Sequence, residues 1–113
     1  MPVAPDAPDA EVLAAAAEWC SWDTNAETRE AVRALIDAED MPALRASMCA
    51  SLTFGTAGLR GPMIAGYGGM NELTVVQATQ GLALYLEQAF GKDKAAAAGV
   101  CIGWDHRAAG SLN

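Results

Sequence analysis

The sequence predicts an α/β chain: a helical segment over residues 11–50, then the opening part of an α/β domain over 51–113. Three observations carry this. Apolar residues before position 50 recur at helical spacing, set between capping residues. Composition switches at Ser51, and glycine is frequent from Gly55 through Gly69. A long helical pattern is then followed by "GVCIGW", a continuous apolar run of the kind shown by a strand buried on both faces.

The elements follow in order. Residues 1–10 are rich in Pro, Ala and Asp and read as a flexible tail. "AEVLAAAAEWCSW" reads as a helix, with Leu13, Ala16, Ala17 and Cys20 at helical spacing and alanine supplying high propensity. Thr24 stands three residues before Glu27, a capping-box pattern that opens a second helix with Val32, Leu35 and Ile36 as its buried stripe. Asp40 and Pro42 suit the start of a third short helix, "MPALRASM". Trp19 and Trp22, three apart, are expected to pack one helix against another. This acidic segment carries no reactive constellation.

Past Ser51, Leu52 and Phe54 suggest a short strand, and "GPMIAGYGGMN" a second extended segment with turns. Asn71 is a good N-cap for "ELTVVQATQGLALYLEQAF", in which Val75, Ala78, Leu82, Tyr85 and Ala89 keep one face apolar. Gly91 lies just past the end of that helix, where a left-handed cap is expected. A Lys-Asp-Lys-Ala linker leads to the "GVCIGW" strand, and "DHRAAGSLN" leaves it as a loop. A buried parallel strand needs neighbours and a crossover helix. The sequence reaches Asn113 where that helix should begin, so it reads as the N-terminal part of a longer enzyme, a truncated domain.

Charge and cysteine usage narrow the partners. The 113 residues carry 14 acidic and 7 basic side chains, a net charge of -7. Ten of the acids and three of the bases fall in residues 1–50, so the acidity belongs to the helical segment and the rest is balanced. Nucleic acid and an anionic membrane surface are not expected partners. Cys20, Cys49 and Cys101 are odd in number and lack CxxC spacing, which argues against zinc or a disulfide framework and for reduced, mostly buried thiols. "MPVAPDAPDAE" lacks the basic and apolar regions of a signal peptide, and no apolar run is long enough to span a bilayer. A cytoplasmic protein is expected.

The chemistry sits in "FGTAGLRG". Gly55 and Gly58 can take backbone angles closed to other residues and let a ligand approach the main chain. Successive N–H groups in such turns can form an anion nest. Thr56 adds a hydroxyl donor, and Arg60 a planar fork of donors matched to phosphate oxygens. The pattern is neither a P-loop, which needs Gly-Lys-Ser/Thr, nor a GxGxxG dinucleotide loop. From the residues alone, a glycine-rich turn with a solvated arginine and a phosphate-binding loop both stand.

"LTFGTAGLRGPM", followed by "MNELTVVQATQGLALYLE" and the strand end "WDHR", resembles the α-D-phosphohexomutase superfamily, in its eukaryotic phosphoglucomutase/phosphopentomutase branch with glucose-1,6-bisphosphate synthase. The lead-in "EWCSWDTNAETREAVRALI" is similar to that branch's helical start, so the resemblance covers roughly residues 11–108 in one order. It implies an incomplete first α/β/α domain behind an N-terminal helical segment. It also implies intramolecular phosphoryl transfer on glucose or pentose phosphates through a phosphoserine and a sugar 1,6-bisphosphate, with Mg2+ assisting. Full-length members are expected as monomers acting on a phosphosugar. By resemblance, Arg60 contacts the phosphoryl group, and Thr56, Gly55 and Gly58 shape the same wall of the cleft. Asp105 and Arg107 match a strand-end pair that orients the next loop. The "TASHNP" serine loop and the "DGDGDR" metal loop do not occur in this sequence. No catalytic residue and no metal ligand is therefore assigned to it, and the chain alone is expected to be inactive. Ser111 lacks the nucleophile's context, and His106, the sole histidine, reads as a surface residue. The alternative is a non-catalytic truncated product or an interaction module.

Overall fold

A computed structural model describes residues 1–105. In chain order it contains α1 (Asp9–Trp22), α2 (Ala26–Asp37), α3 (Met41–Met48), β1 (Phe54–Gly55), β2 (Gly58–Leu59), α4 (Glu72–Phe90) and α5 (Lys92–Ala98). The class is α/β, with one two-stranded antiparallel sheet among the described residues.

α1, α2 and α3 pack on one another and hold the core. Val12, Trp19, Val32, Leu44 and Met48 are fully buried there. The buried stripe of α1 is Val12, Ala15, Ala16, Trp19 and Cys20, the spacing of one helical face. Of the expected stripe Leu13, Ala16, Ala17 and Cys20, Ala16 and Cys20 are buried, and the rest is turned by one residue. Trp19 sets the facing, because it has the most surface to remove from water. Trp22 was expected to pack beside it and is instead 46% exposed, one turn on but outside that stripe.

Residues 1–10 were expected as a flexible tail, but Asp9 and Ala10 already belong to α1 and residues 1–8 are held in place. The structure lays them against α3 instead. The Val3 N–H donates to the Met48 carbonyl at 3.0 Å, and Ala7 is buried in the core. Small side chains let this stretch lie close, and Arg45 of α3 donates to the Pro5 carbonyl and pairs with Asp9.

The N-cap of α2 is Asn25, not Thr24: its Oδ1 accepts from the N–H groups of Glu27 (2.9 Å) and Thr28 (3.3 Å). Asn caps at least as well as Thr. The preceding Asp23, 3% exposed, accepts from the Asn25 N–H and the Thr28 hydroxyl, so its buried carboxylate is satisfied. α2 ends in a pair of reverse bonds, Glu39 N–H to Ile36 carbonyl and Asp40 N–H to Leu35 carbonyl. Glu39 holds the left-handed position of this Schellman turn at φ +51°, where glycine is the usual occupant. Asp40 then caps α3 through the Ala43 N–H, with Pro42 in its first turn, as the sequence predicts.

Two further expectations fail. "GPMIAGYGGMN" forms bends and turns rather than an extended segment, and the second strand is instead Gly58–Leu59. "GVCIGW" is not a strand: Val100, Ile102 and Trp104 are 56%, 62% and 86% exposed. A strand exists by pairing. The only pairing among the described residues is the four-residue hairpin β1–β2, which leaves this run no sheet to enter. The linker before it is also helical, as α5. The free thiols differ in setting, Cys20 buried, Cys49 half-buried and Cys101 exposed, so they are not mostly buried as expected.

α4 starts on the core and then leaves it. Asn71 and Thr74 are buried at its start, whereas Leu82, Leu84, Tyr85 and Phe90 are exposed farther along. Among the described residues the last turns pack on α5, across a cleft of about 210 Å³ lined by Leu86, Phe90, Lys94, Ala95, Ala98 and Gly99. Gly91 joins the two helices at φ +83°. The radius of gyration is 15.7 Å, against roughly 13 Å for a compact domain of this length.

Candidate functional site

The candidate site is the β1–β2 hairpin and the loop behind it. Gly55 pairs with Gly58 and Phe54 with Leu59, so Thr56 and Ala57 form the tip. Gly58 completes the reversal at φ +105°, a backbone angle that side chains disfavour. The hairpin and its exit carry Gly55, Thr56, Gly58 and Arg60. Gly55, Thr56 and Arg60 are exposed, and Gly58 is half-buried.

Arg60 follows β2 directly and makes no hydrogen bond or ion pair to another described residue. From Ser51 to Asn71 it is the sole charged side chain. Its charge is therefore not neutralised within its own segment and can serve an anion from solution. The Thr56 hydroxyl on the same hairpin is likewise without a partner among the described residues.

The loop from Pro62 to Met70 is a closed ring. The Pro62 carbonyl accepts from Ile64 N–H (3.0 Å) and Met70 N–H (2.7 Å), so the chain enters and leaves at one point. The Asn71 side chain fills the inside. Its Nδ2 donates to the carbonyls of Ile64 (2.9 Å), Gly66 (2.9 Å) and Gly69 (3.3 Å). Its Oδ1 accepts from Thr74 N–H (3.0 Å), while Thr74 Oγ1 accepts from Asn71 N–H and donates to Gly69. Gly69 admits no side chain, since a Cβ there would lie 1.9 Å from the Ile64 carbonyl oxygen.

The ring is anchored in the helical core. Gly68 N–H donates to the Ser47 carbonyl of α3 at 3.1 Å. Tyr67 is 3% exposed in the core, and its hydroxyl accepts from the Met1 ammonium at 2.7 Å. Burial, and then the nearby Glu18 carboxylate, push the Tyr67 phenol up to about 12. Burial likewise raises the Cys20 thiol, Asp23 and Glu30 adding to the rise while Arg33 and Arg29 oppose it.

Asp105 is exposed and has an interaction partner; Arg107, His106 and Ser111 lie outside the described residues. Among the described residues no group of three or more His, Cys, Asp or Glu side chains is placed to hold a metal ion. No helix among them is long and apolar enough to cross a membrane. Sequence reasoning found Asn71 as a cap and missed its second role. The signal for that role was the glycines at 66, 68 and 69, just upstream of it.

Comparison with known proteins places the chain in a family. The family described as phosphoglucomutase/phosphomannomutase, alpha/beta/alpha domain I, matches residues 51–112. Phosphopentomutase of Mus musculus is 45% identical over 100 residues, covering 88% of this chain and 16% of its own length. Glucose 1,6-bisphosphate synthase of Homo sapiens is 40% identical over 99 residues, with the same two shares, 88% and 16%. Phosphoribomutase of Saccharomyces cerevisiae is 43% identical over 89 residues, covering 79% of this chain and 14% of its own length. The chain thus spans about one sixth of the length of the relatives it matches. No solved structure matches it significantly.

Proposed function

The chain belongs to the phosphoglucomutase/phosphomannomutase family, and on that premise we propose that it forms one phosphate-binding wall of a phosphosugar mutase site. The observation that carries this reading is Arg60: an exposed guanidinium beside a glycine hairpin, in a segment with no other charge. Its fork of donors grips two oxygens of a phosphoryl group and offsets their charge. Gly55 and Gly58 let the main chain come close, and the Thr56 hydroxyl donates from the tip. Positioning and charge neutralisation are the main demands of phosphoryl transfer.

The whole reaction proposed is intramolecular phosphoryl transfer on glucose or pentose phosphates by way of a sugar bisphosphate. No covalent step is assigned to this chain. The serine and metal loops that the resemblance implies do not occur in this sequence, and the role proposed for the chain alone is binding rather than turnover. A role for Mg2+ and a monomeric state draw on the resemblance. A cytoplasmic setting draws on the free thiols, and the exclusion of nucleic acid on the net charge of -7. Asp105 and Arg107 are proposed as supports for the next loop.

The test is a calorimetric titration of glucose 1,6-bisphosphate into this chain and into Arg60→Ala. Loss of one charge-assisted contact should weaken binding about 10- to 100-fold. Equal, negligible binding by both would favour a non-catalytic interaction module. That second reading draws on the exposed apolar side chains of α4 and of Val100, Ile102 and Trp104.

A further inference from the structure

We infer that Asn71 is a positioning residue for the Arg60 hairpin, acting through the 62–70 ring; for its effect on ligand binding, this rests on the phosphate-binding reading above. An N-cap needs only an acceptor, and Ser, Thr or Asp would supply one. Asn71 uses the opposite end of its amide as well, and the residue is only 5% exposed. Two amide protons serve three inward-facing carbonyls, which water does not reach easily at a buried site.

The path from Asn71 to Arg60 is short. The ring closes at Pro62, two residues beyond Arg60. Its far side is held to the helical core through Tyr67 and the Gly68–Ser47 hydrogen bond. The hairpin has little hold of its own: its strands are two residues each, and Phe54 is 67% exposed. Where Pro62 sits therefore decides where the guanidinium can reach, and Asn71 decides where Pro62 sits.

Asn71→Ser separates the two roles, because serine keeps the cap and cannot reach the three carbonyls. In backbone relaxation measurements on the 113-residue chain, order parameters over Gly55–Arg60 should fall from about 0.85 to below roughly 0.6. Those of α1–α3 should stay unchanged. Affinity for glucose 1,6-bisphosphate should drop about tenfold. Unchanged hairpin order overturns the inference whether or not the ligand binds, and so does a loosened hairpin with undiminished affinity. If the wild-type chain binds no bisphosphate while Asn71→Ser loosens the hairpin, the phosphate reading fails and the positioning role stands. Should Asn71→Ser fail to fold, Gly69→Ala opens the same ring from the Ile64 side, and the same outcomes apply.

Discussion

The side-chain amide of Asn25 donates to Glu72 Oε1 at 3.0 Å, which ties the cap of α2 to the first turn of α4 across 47 residues of sequence. One side chain thus starts one helix and holds another. Asn25→Asp keeps the cap but turns the donor into an anion facing Glu72. It should destabilise the chain by about 1 kcal/mol in urea unfolding, and Glu72→Gln should recover most of that in a double-mutant cycle. Additive effects would show that the contact is not felt in solution.

Arg60→Lys tests whether charge alone suffices. Lysine keeps the charge and loses the planar fork, so bisphosphate affinity should stay at least severalfold below wild type. The melting temperature should barely move, since Arg60 is exposed and makes no hydrogen bond or ion pair to another described residue.

The two tryptophans should separate cleanly. Trp19→Ala empties the middle of the three-helix core and should cost about 3–5 kcal/mol, enough to unfold much of the population. Trp22→Ala, at a position 46% exposed, should cost below about 1 kcal/mol. Denaturant midpoints for the pair decide the matter, and equal losses would contradict the observed facing of α1.

Alkaline pH should destabilise the fold. The Tyr67 phenol is raised from 10.0 to about 12 in the folded chain. The folded state therefore holds its proton more tightly than the unfolded state does. The resulting stability is fully present below pH 10 and is lost as pH rises toward 12. Cys20, also raised from its model-compound value of 9.0, acts in the same direction above that pH. Thermal melts at pH 8, 10 and 11 should show the loss, and Tyr67→Phe should flatten it between the last two.

Glu39→Gly should stabilise the chain by up to about 1 kcal/mol. The substitution relieves a left-handed backbone at φ +51° that costs a non-glycine residue about 1–2 kcal/mol. Part of the gain is offset by the greater freedom of glycine in the unfolded chain. A fall in melting temperature would show that the Glu39 side chain contributes something its geometry does not reveal.

Local signals were legible in the sequence, and pairing was not. Asp40, Pro42 and Asn71 announced their helix starts because capping is settled within four residues. The glycine-rich turn was legible for the same reason, since Gly58 supplies its positive φ, whereas the Gly58–Leu59 strand that makes it a hairpin was not. The stripe of α1 was misread by one residue, because the choice between Ala17 and Trp19 depends on what the neighbouring helices offer. "GVCIGW" has the composition of a buried strand, but burial requires partner strands, and composition cannot supply them. The second role of Asn71 was missed because its acceptors are backbone carbonyls, which the sequence marks only indirectly, through Gly66, Gly68 and Gly69.

The departure of α4 from the helical core has a thermodynamic consequence. Its first turn is locked by the Asn71–Thr74 box, while among the described residues its last turns lean on α5. Heating should therefore melt α5 and the outer half of α4 before the three-helix core. Two cooperative units would then share one chain, and the van't Hoff enthalpy of the main transition should fall below the calorimetric enthalpy of the whole.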